Sequence, residues 1–360
     1  MSVMDGVARP IDHCPGNLRT LLVWLALLTL PSPPTLAQEA AVAAFYAGKA
    51  ITILVGSDSG GGYDLNARLL ARYMGKYIPG HPQFIVQNKP GASSLAAANY
   101  VYGIAPRDGT YIAAVQRPVP FQPLFGLPGL QLDLSKIQWL GSTTKEPGVF
   151  VAWHTAPQQS LDDLRRDGMI VGGNGPSTDT ELFARTLNNI AGTKLKIVSG
   201  YPGQSQIILA MERGEVQGVA NWSWSDIETK HKDWIRDQKV RFLLQLGLTK
   251  NPAILGVPFI LDLAHNEDER VVLKLLMNMK EVGRPYFVAP GVSPERVQAL
   301  RSAFNATMED KAFREEAAST VGQIDPVSGE QMQAILDEVY ALPSRLIERA
   351  RQTVGLKQTQ

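Results

Sequence analysis

The sequence predicts an α/β protein built as two units, each a mainly parallel sheet with flanking helices. Three observations carry this. Short aliphatic and β-branched runs alternate with amphipathic stretches along most of the chain, the order of parallel strands and covering helices. The alternation pauses across 118–129, which holds four prolines (Pro118, Pro120, Pro123, Pro128), and then resumes, giving two sets. The 360 residues, 44% hydrophobic and 19% charged, suffice for two cores and are too apolar for a disordered chain.

The first set opens with a continuous apolar strand at 51–55. A glycine loop leads into an amphipathic helix at 64–77, where Leu65, Leu69, Tyr73, Met74 and Tyr77 recur at helical spacing. Pro79-Gly80 stops it. A second strand follows at 84–86, and Pro90-Gly91 opens a second helix. The PRDG turn at 106–109 precedes a third strand at 110–115. The second set has strands at 149–153, 169–171, 195–198, 216–220 and 241–246, with helices at 160–166, 179–190, 204–212 and 225–237. A helix at 267–282 and a strand at 286–289 come next. The tail is helical, with Ser293-Pro294-Glu295 as one start signal and Ser328 with Gln331 as a capping box. A chain that enters a second unit and returns crosses twice. The expected division is 38–147 plus 285–360 for lobe one and 148–284 for lobe two, with the apolar segments 148–153 and 285–289 as paired hinge strands. A short echo links the units: Val55-Gly56 leads through a loop to Ala67-Arg68, as Val171-Gly172 leads to Ala184-Arg185.

Residues 1–37 read as a secretory signal peptide. Arg9 and Arg19 precede the apolar run LLVWLALLTL at 21–30, and Ala37 stands before the expected cut. The run would span only about 15 Å as a helix, half a bilayer core. The single cysteine, Cys14, lies before this run, so it is not placed for lipidation, and it cannot form an intrachain disulfide. The expected location is periplasmic and soluble after cleavage. Lys+Arg number 35 and Asp+Glu 34, a net charge of +1. Cleavage removes two of each sign and leaves that balance unchanged. No bulk basic field exists to suit a dedicated nucleic-acid or polybasic membrane-surface binder.

The richest local signal is the loop Ser57, Asp58, Ser59, Gly60, Gly61, Gly62, Tyr63, Asp64. Glycine backbone ahead of a helix N-terminus can hold an anion, a phosphate or a carboxylate. It can equally be a tight turn with Asp64 as cap. The nucleotide versions fail: Tyr63-Asp64 stand where a phosphate loop needs lysine and a hydroxyl, and Leu65 stands where a dinucleotide loop needs its third glycine. A second loop, with Gly175, Ser177, Thr178 and Asp179, repeats the layout; Ser177 or Thr178 is a helix cap or a ligand donor. Further candidates are Tyr201, the pair Asn221 and Trp222 in a loop after strand 216–220, and Gln116 with Arg117, which could pair with a carboxylate. The histidines carry no helical partner, and no nucleophile–base spacing or metal motif is present.

The run ITILVGSDSGGGYD at 51–64 resembles the opening of the substrate-binding proteins of tripartite tricarboxylate transporters, the Bug family. So does VQNKPGASSLAAANYVYGIAPRDGTYIAA at 86–114, and the likeness continues through Gly200-Tyr201-Pro202-Gly203, the turn at Gly214 and FVAPGVSP at 287–294. The resemblance implies a two-lobed periplasmic binding protein (type II-like, a Venus-flytrap) with a hinge of two crossing segments. It implies a non-enzyme without cofactor, a monomer, that holds a small organic anion, a carboxylate above all, and delivers it to transporter membrane subunits. A sensor subunit feeding a signalling receptor is the alternative. Carried over, the ligand residues are 57–64, Ser93 and Ser94 from lobe one, with 175–179, Tyr201 and the Asn221 loop from lobe two. The sequence departs from the family at Gly56, where proline is usual, at Asp58, where small or apolar residues are, at Tyr63, and at Gln116-Arg117. It resembles a divergent member.

Overall fold

The computed structural model describes residues 36–126 and 129–355. The expected signal peptide lies outside them, except that Leu36 and Ala37 open the helix Leu36–Tyr46. The strands are β1 (Ala50–Val55), β2 (Gln83–Asn88), β3 (Tyr111–Ala114), β4 (Gln138–Ser142), β5 (Gly148–Trp153), β6 (Met169–Gly172), β7 (Leu195–Val198), β8 (Gly218–Ser223), β9 (Val240–Leu246), β10 (Pro285–Val288) and β11 (Val327–Ser328). They form two sheets, in the orders β11-β4-β10-β3-β1-β2 and β7-β6-β8-β5-β9.

Each sheet is mixed rather than mainly parallel. β1 runs parallel to β2 and β3, and β6 parallel to β7 and β8. β10 runs antiparallel to β3 and β4, and β5 antiparallel to β8 and β9. The strands that arrive from the other lobe enter at the carboxyl ends of the parallel ones, so they must run the opposite way. β5 and β10 are buried along their whole length because each is interior to its own sheet. They therefore do not pair with one another, and the expectation of paired hinge strands at 148–153 and 285–289 is corrected.

The crossing segments are instead 143–147 and 280–284, and they bond to each other. The Thr143 amide donates to the Arg284 carbonyl at 3.3 Å, and the Glu146 amide to the Lys280 carbonyl at 2.7 Å. The Arg284 amide donates to Ser142 Oγ at 2.8 Å. The last helix, Ser344–Thr353, adds a tie behind the crossing. Arg351 Nε donates to the Leu124 carbonyl at 2.7 Å, and Arg185 Nε to the Val354 carbonyl at 2.7 Å.

The largest apolar cluster runs from Leu54 and Trp139 through Phe287 to Phe150, Phe183 and Leu273, so one core underlies both sheets. The capping box at Ser328 and Gln331 is formed as expected. Ser293 stands at the N-cap ahead of Pro294 but makes no side-chain cap bond. The expected helix 225–237 is two helices, Trp224–Lys230 and Lys232–Arg236. His231 breaks it, with φ −134°, its ring packed 4.1 Å from Trp234 and 5.0 Å from Trp222.

That packing has a pH consequence. Burial lowers the His231 pKa from 6.5, despite the opposing charge of Asp226. Folding favours the neutral ring, so its contribution is complete above 6.5 and is lost as pH falls through the lower folded value. His231→Gln is expected to flatten this part of the acid slope, read as urea midpoints from neutral to mildly acidic pH. An unchanged slope would refute the assignment.

Candidate functional site

The carboxyl ends of β1, β3, β6 and β8 converge on the gap between the sheets, where ligands bind in open α/β folds. They enclose a cavity of about 50 Å³. Lobe one lines it with Ser57, Asp58, Gly61, Gly62, Tyr63, Gln116 and Arg117; the opposite wall includes Asn174, Asp179, Pro202, Gly203, Gln204 and Asn221. Ser223, Asp226 and Arg284 complete it.

Arg117 is the hub, 2% exposed. Its amide and Nε both donate to the Tyr63 hydroxyl at 3.1 Å, its Nη1 to the Glu146 carbonyl at 3.2 Å, and its Nη2 to Ser223 Oγ at 3.0 Å. Nε also lies 3.3 Å from Asp179 Oδ2. Burial alone would pull this guanidinium down; the Tyr63 oxygen, Asp179 and Glu146 outweigh it and hold the pKa above the ordinary arginine value. Asp179 also accepts from Asn221 Nδ2 at 2.8 Å and lies 3.9 Å from Lys280 Nζ. Lys280 donates to Asn221 Oδ1 as well. Burial, and then the Arg117 charge, push Lys280 well below the usual lysine range. Arg284 Nη2 pairs with Glu146 at 3.1 Å and reaches Asp226 at 4.0 Å, and its guanidinium stacks 4.4 Å from the centre of the Tyr63 ring. Burial would raise the Asp226 pKa, but Lys230 and Arg284 bring it below the usual carboxylate value.

The two glycine loops are braced alike, which gives the sequence echo a physical form. Asp64, 1% exposed, accepts from the Gly60 amide at 2.9 Å and from Arg68 four residues on at 2.9 Å, with Asn88 Nδ2 on its other oxygen. Glu181 accepts from the Gly175 amide at 2.8 Å and from Arg185 four residues on at 3.1 Å. In each case a carboxylate in the first helical turn and an arginine one turn later fix the loop.

These bonds sort the expected ligand residues. Ser57, Asp58, Gly61, Gly62, Tyr63, Gln116, Arg117, Asp179 and Asn221 meet at the cavity. Asp64 braces its loop, Ser59 is exposed, and Gly60 lies on an adjoining cavity that shares Gly61, Gly62, Gln204 and Asp226 with the first and is also lined by Trp222, Lys230 and His231. Ser94 Oγ donates to the Gly56 carbonyl at 2.8 Å and accepts from the Gln116 amide at 3.0 Å, so it ties β1 to β3. Ala92, Ser93 and Ser94 all have positive φ, a strained turn that places this strut. Thr178 stands at the N-cap of the helix Asp179–Ile190, but its hydroxyl donates to the Gly175 carbonyl at 2.6 Å. Ser177 is buried in the same turn, and Tyr201 packs on the lobe-two core.

Asn221 and Trp222 are not in a loop. β8 runs to Ser223, so alternate side chains face opposite ways: Asn221 and Ser223 reach the cavity while Trp222 joins the core. Asn174, Pro202, Gly203, Gln204 and Ser223 lie in the loop segments the sequence points to; Asp226, Arg284, Glu146 and Lys280 were missed. Lys280 left a trace, as it continues the apolar stripe Leu273, Leu276, Met277 at helical spacing.

Asp58 projects from lobe one onto Gly203, where an added Cβ would stand 2.5 Å from its Cγ. Burial pushes its carboxyl pKa up, opposed by its own backbone amide, and the Asp64 charge adds to the rise. Gly203→Ala is expected to hinder closure at this contact and weaken ligand binding by ~1–3 kcal/mol, the scale of local overpacking. Calorimetry that finds unchanged affinity would refute that placement.

This is the fold of the two-lobed periplasmic binding proteins. It is similar to a TctC solute-binding protein from Polaromonas, with TM-score 0.59, 21% identity, and coverage of 84% of this chain and 99% of that one. It is similar to the periplasmic binding protein BugD, with TM-score 0.68, 16% identity, and coverage of 87% and 99%. It is also similar to MatC from Rhodopseudomonas palustris with bound malate, with TM-score 0.66, 18% identity, and coverage of 85% and 99%. No protein-family model matches the chain, and no curated protein matches it. Among the described residues, no helix is long and apolar enough to cross a membrane.

Proposed function

We propose that the chain is a periplasmic solute-binding protein of the tripartite tricarboxylate transporter type. It captures a small organic carboxylate between its lobes, makes and breaks no bond, and delivers the ligand to membrane subunits. The lobes are 38–147 plus 285–360 and 148–284. The observation that carries the reading is the set of buried donors at the cavity without a hydrogen-bond partner: Ser57 Oγ, Gln204 Nε2 and Arg284 Nε. They suit an acceptor-rich ligand such as a carboxylate. The fold's likeness to MatC with bound malate supports this ligand class. At about 50 Å³ the cavity is smaller than an organic acid, so the reading requires the lobes to part to admit one.

Thermal-shift measurements of the mature protein against a panel of organic acids test the reading. A concentration-dependent rise in midpoint with at least one carboxylate is expected. Shifts only from compounds without a carboxylate would overturn the ligand class.

A further inference from the structure

The carboxylates around the cavity are paired with cations of the chain, with one exception. Four cationic side chains stand there, and each already meets a carboxylate of the chain: Arg117 and Lys280 meet Asp179, Arg284 meets Glu146 and Asp226, and Lys230 meets Asp226. Asp58 is a fourth carboxylate, and among the described residues no ion pair includes it. Its Oδ2 is buried without a hydrogen-bond partner. The contact with Gly203 brings it no cation from lobe two. Ser57, its neighbour in sequence, is 7% exposed and Arg284 3% exposed; both line the same cavity, and each has a buried donor without a partner. The inner surface thus offers unpaired donors together with one unpaired acid. A simple carboxylate would satisfy the donors and add negative charge beside Asp58, which a low-dielectric site penalises. A ligand with a cationic nitrogen near its carboxylate answers both needs.

We propose that the ligand is an amino-bearing carboxylate, a zwitterion whose cationic nitrogen is held by Asp58 while its carboxylate takes the donors of Ser57 and Arg284. This rests on the carboxylate-binding reading above and adds a second pole to it. The zwitterion leaves the charge balance of the cavity unchanged, whereas a dicarboxylate makes it more negative. The unpaired oxygen then becomes the feature that separates an amino acid from its des-amino analogue, because a site with a buried unpaired group rejects the ligand that leaves it so.

The test is calorimetry of the mature protein with amino acids, each paired with its des-amino analogue: aspartate with succinate, glutamate with glutarate, alanine with propionate, phenylalanine with 3-phenylpropionate. The best amino member is expected to bind at least ~10-fold more tightly than its analogue, about 1.4 kcal/mol. Asp58→Asn, with Asp58→Ala as a second variant, is expected to erase that preference while des-amino affinity holds or rises. Des-amino acids binding as tightly as their partners would overturn the proposal and leave the carboxylate reading standing. Loss of both members equally in the Asp58 variants, with the preference kept, would also overturn it, since Asp58 would then act only on the loop. No binding by any acid, with or without nitrogen, would overturn both readings.

Discussion

Replacing Arg117 with methionine is expected to destabilise the protein by about 3–5 kcal/mol, the scale of breaking a buried ion pair from one side. Arg117 is 2% exposed, and its guanidinium serves Tyr63, Glu146, Ser223 and Asp179 together. Its loss leaves Asp179 facing only Asn221 and a lysine whose charged form is disfavoured there. Ligand affinity is expected to fall at least ~10-fold as well, about 1.4 kcal/mol. Arg117→Lys keeps a charge but not the planar fork, and should recover only part of either loss. Urea unfolding and calorimetry on the three proteins check this. A methionine variant within ~0.5 kcal/mol of wild type, the spread of an ordinary surface substitution, would show that the hub carries nothing.

Arg284→Met is expected to be comparably damaging, at about 3–5 kcal/mol, for a different reason. Arg284 and Glu146 sit on the two crossing segments, so their 3.1 Å contact pins one crossing to the other. Without the arginine, Glu146, 1% exposed, keeps Ser225 Oγ at 2.8 Å as its side-chain partner. The cost is then mostly the stranded negative charge. Adding Glu146→Gln to Arg284→Met is therefore expected to recover a large part of the lost stability. Strictly additive losses in the double variant would refute the pairing.

These two arginines mark what the sequence disclosed and what it did not. Arg117 follows a legible strand and was singled out. The whole lobe-one loop was legible too, because 57–63 is contiguous and its glycines announce a close approach. The helix Asp179–Ile190 and the capping box at Ser328 were equally plain, since both signals are local. Glu146, Lys280 and Arg284 come together only through the double crossing, and no short window contains that. β4 has the residues Gln138-Trp139-Leu140-Gly141-Ser142, which lack both alternation and a β-branched run, so only pairing with β10 and β11 makes it a strand. The sequence alone places the end of β8 at Ala220; pairing with β5 carries it on to Ser223.

The bonds from Arg117 to Ser223 and Asp179 run directly from one lobe to the other. The joined shape is thus partly self-supporting. A receptor whose shape reports occupancy needs its unoccupied form to look different, and these contacts blur that difference. Under the proposed role, a partner that reads the joined shape would meet some molecules that carry nothing, and those would compete with the loaded ones. The same contacts leave less of the ligand's binding free energy to be spent on drawing the lobes together, so apparent affinity rises. Under the proposed role, tighter capture and a less discriminating signal would be two results of one buried guanidinium.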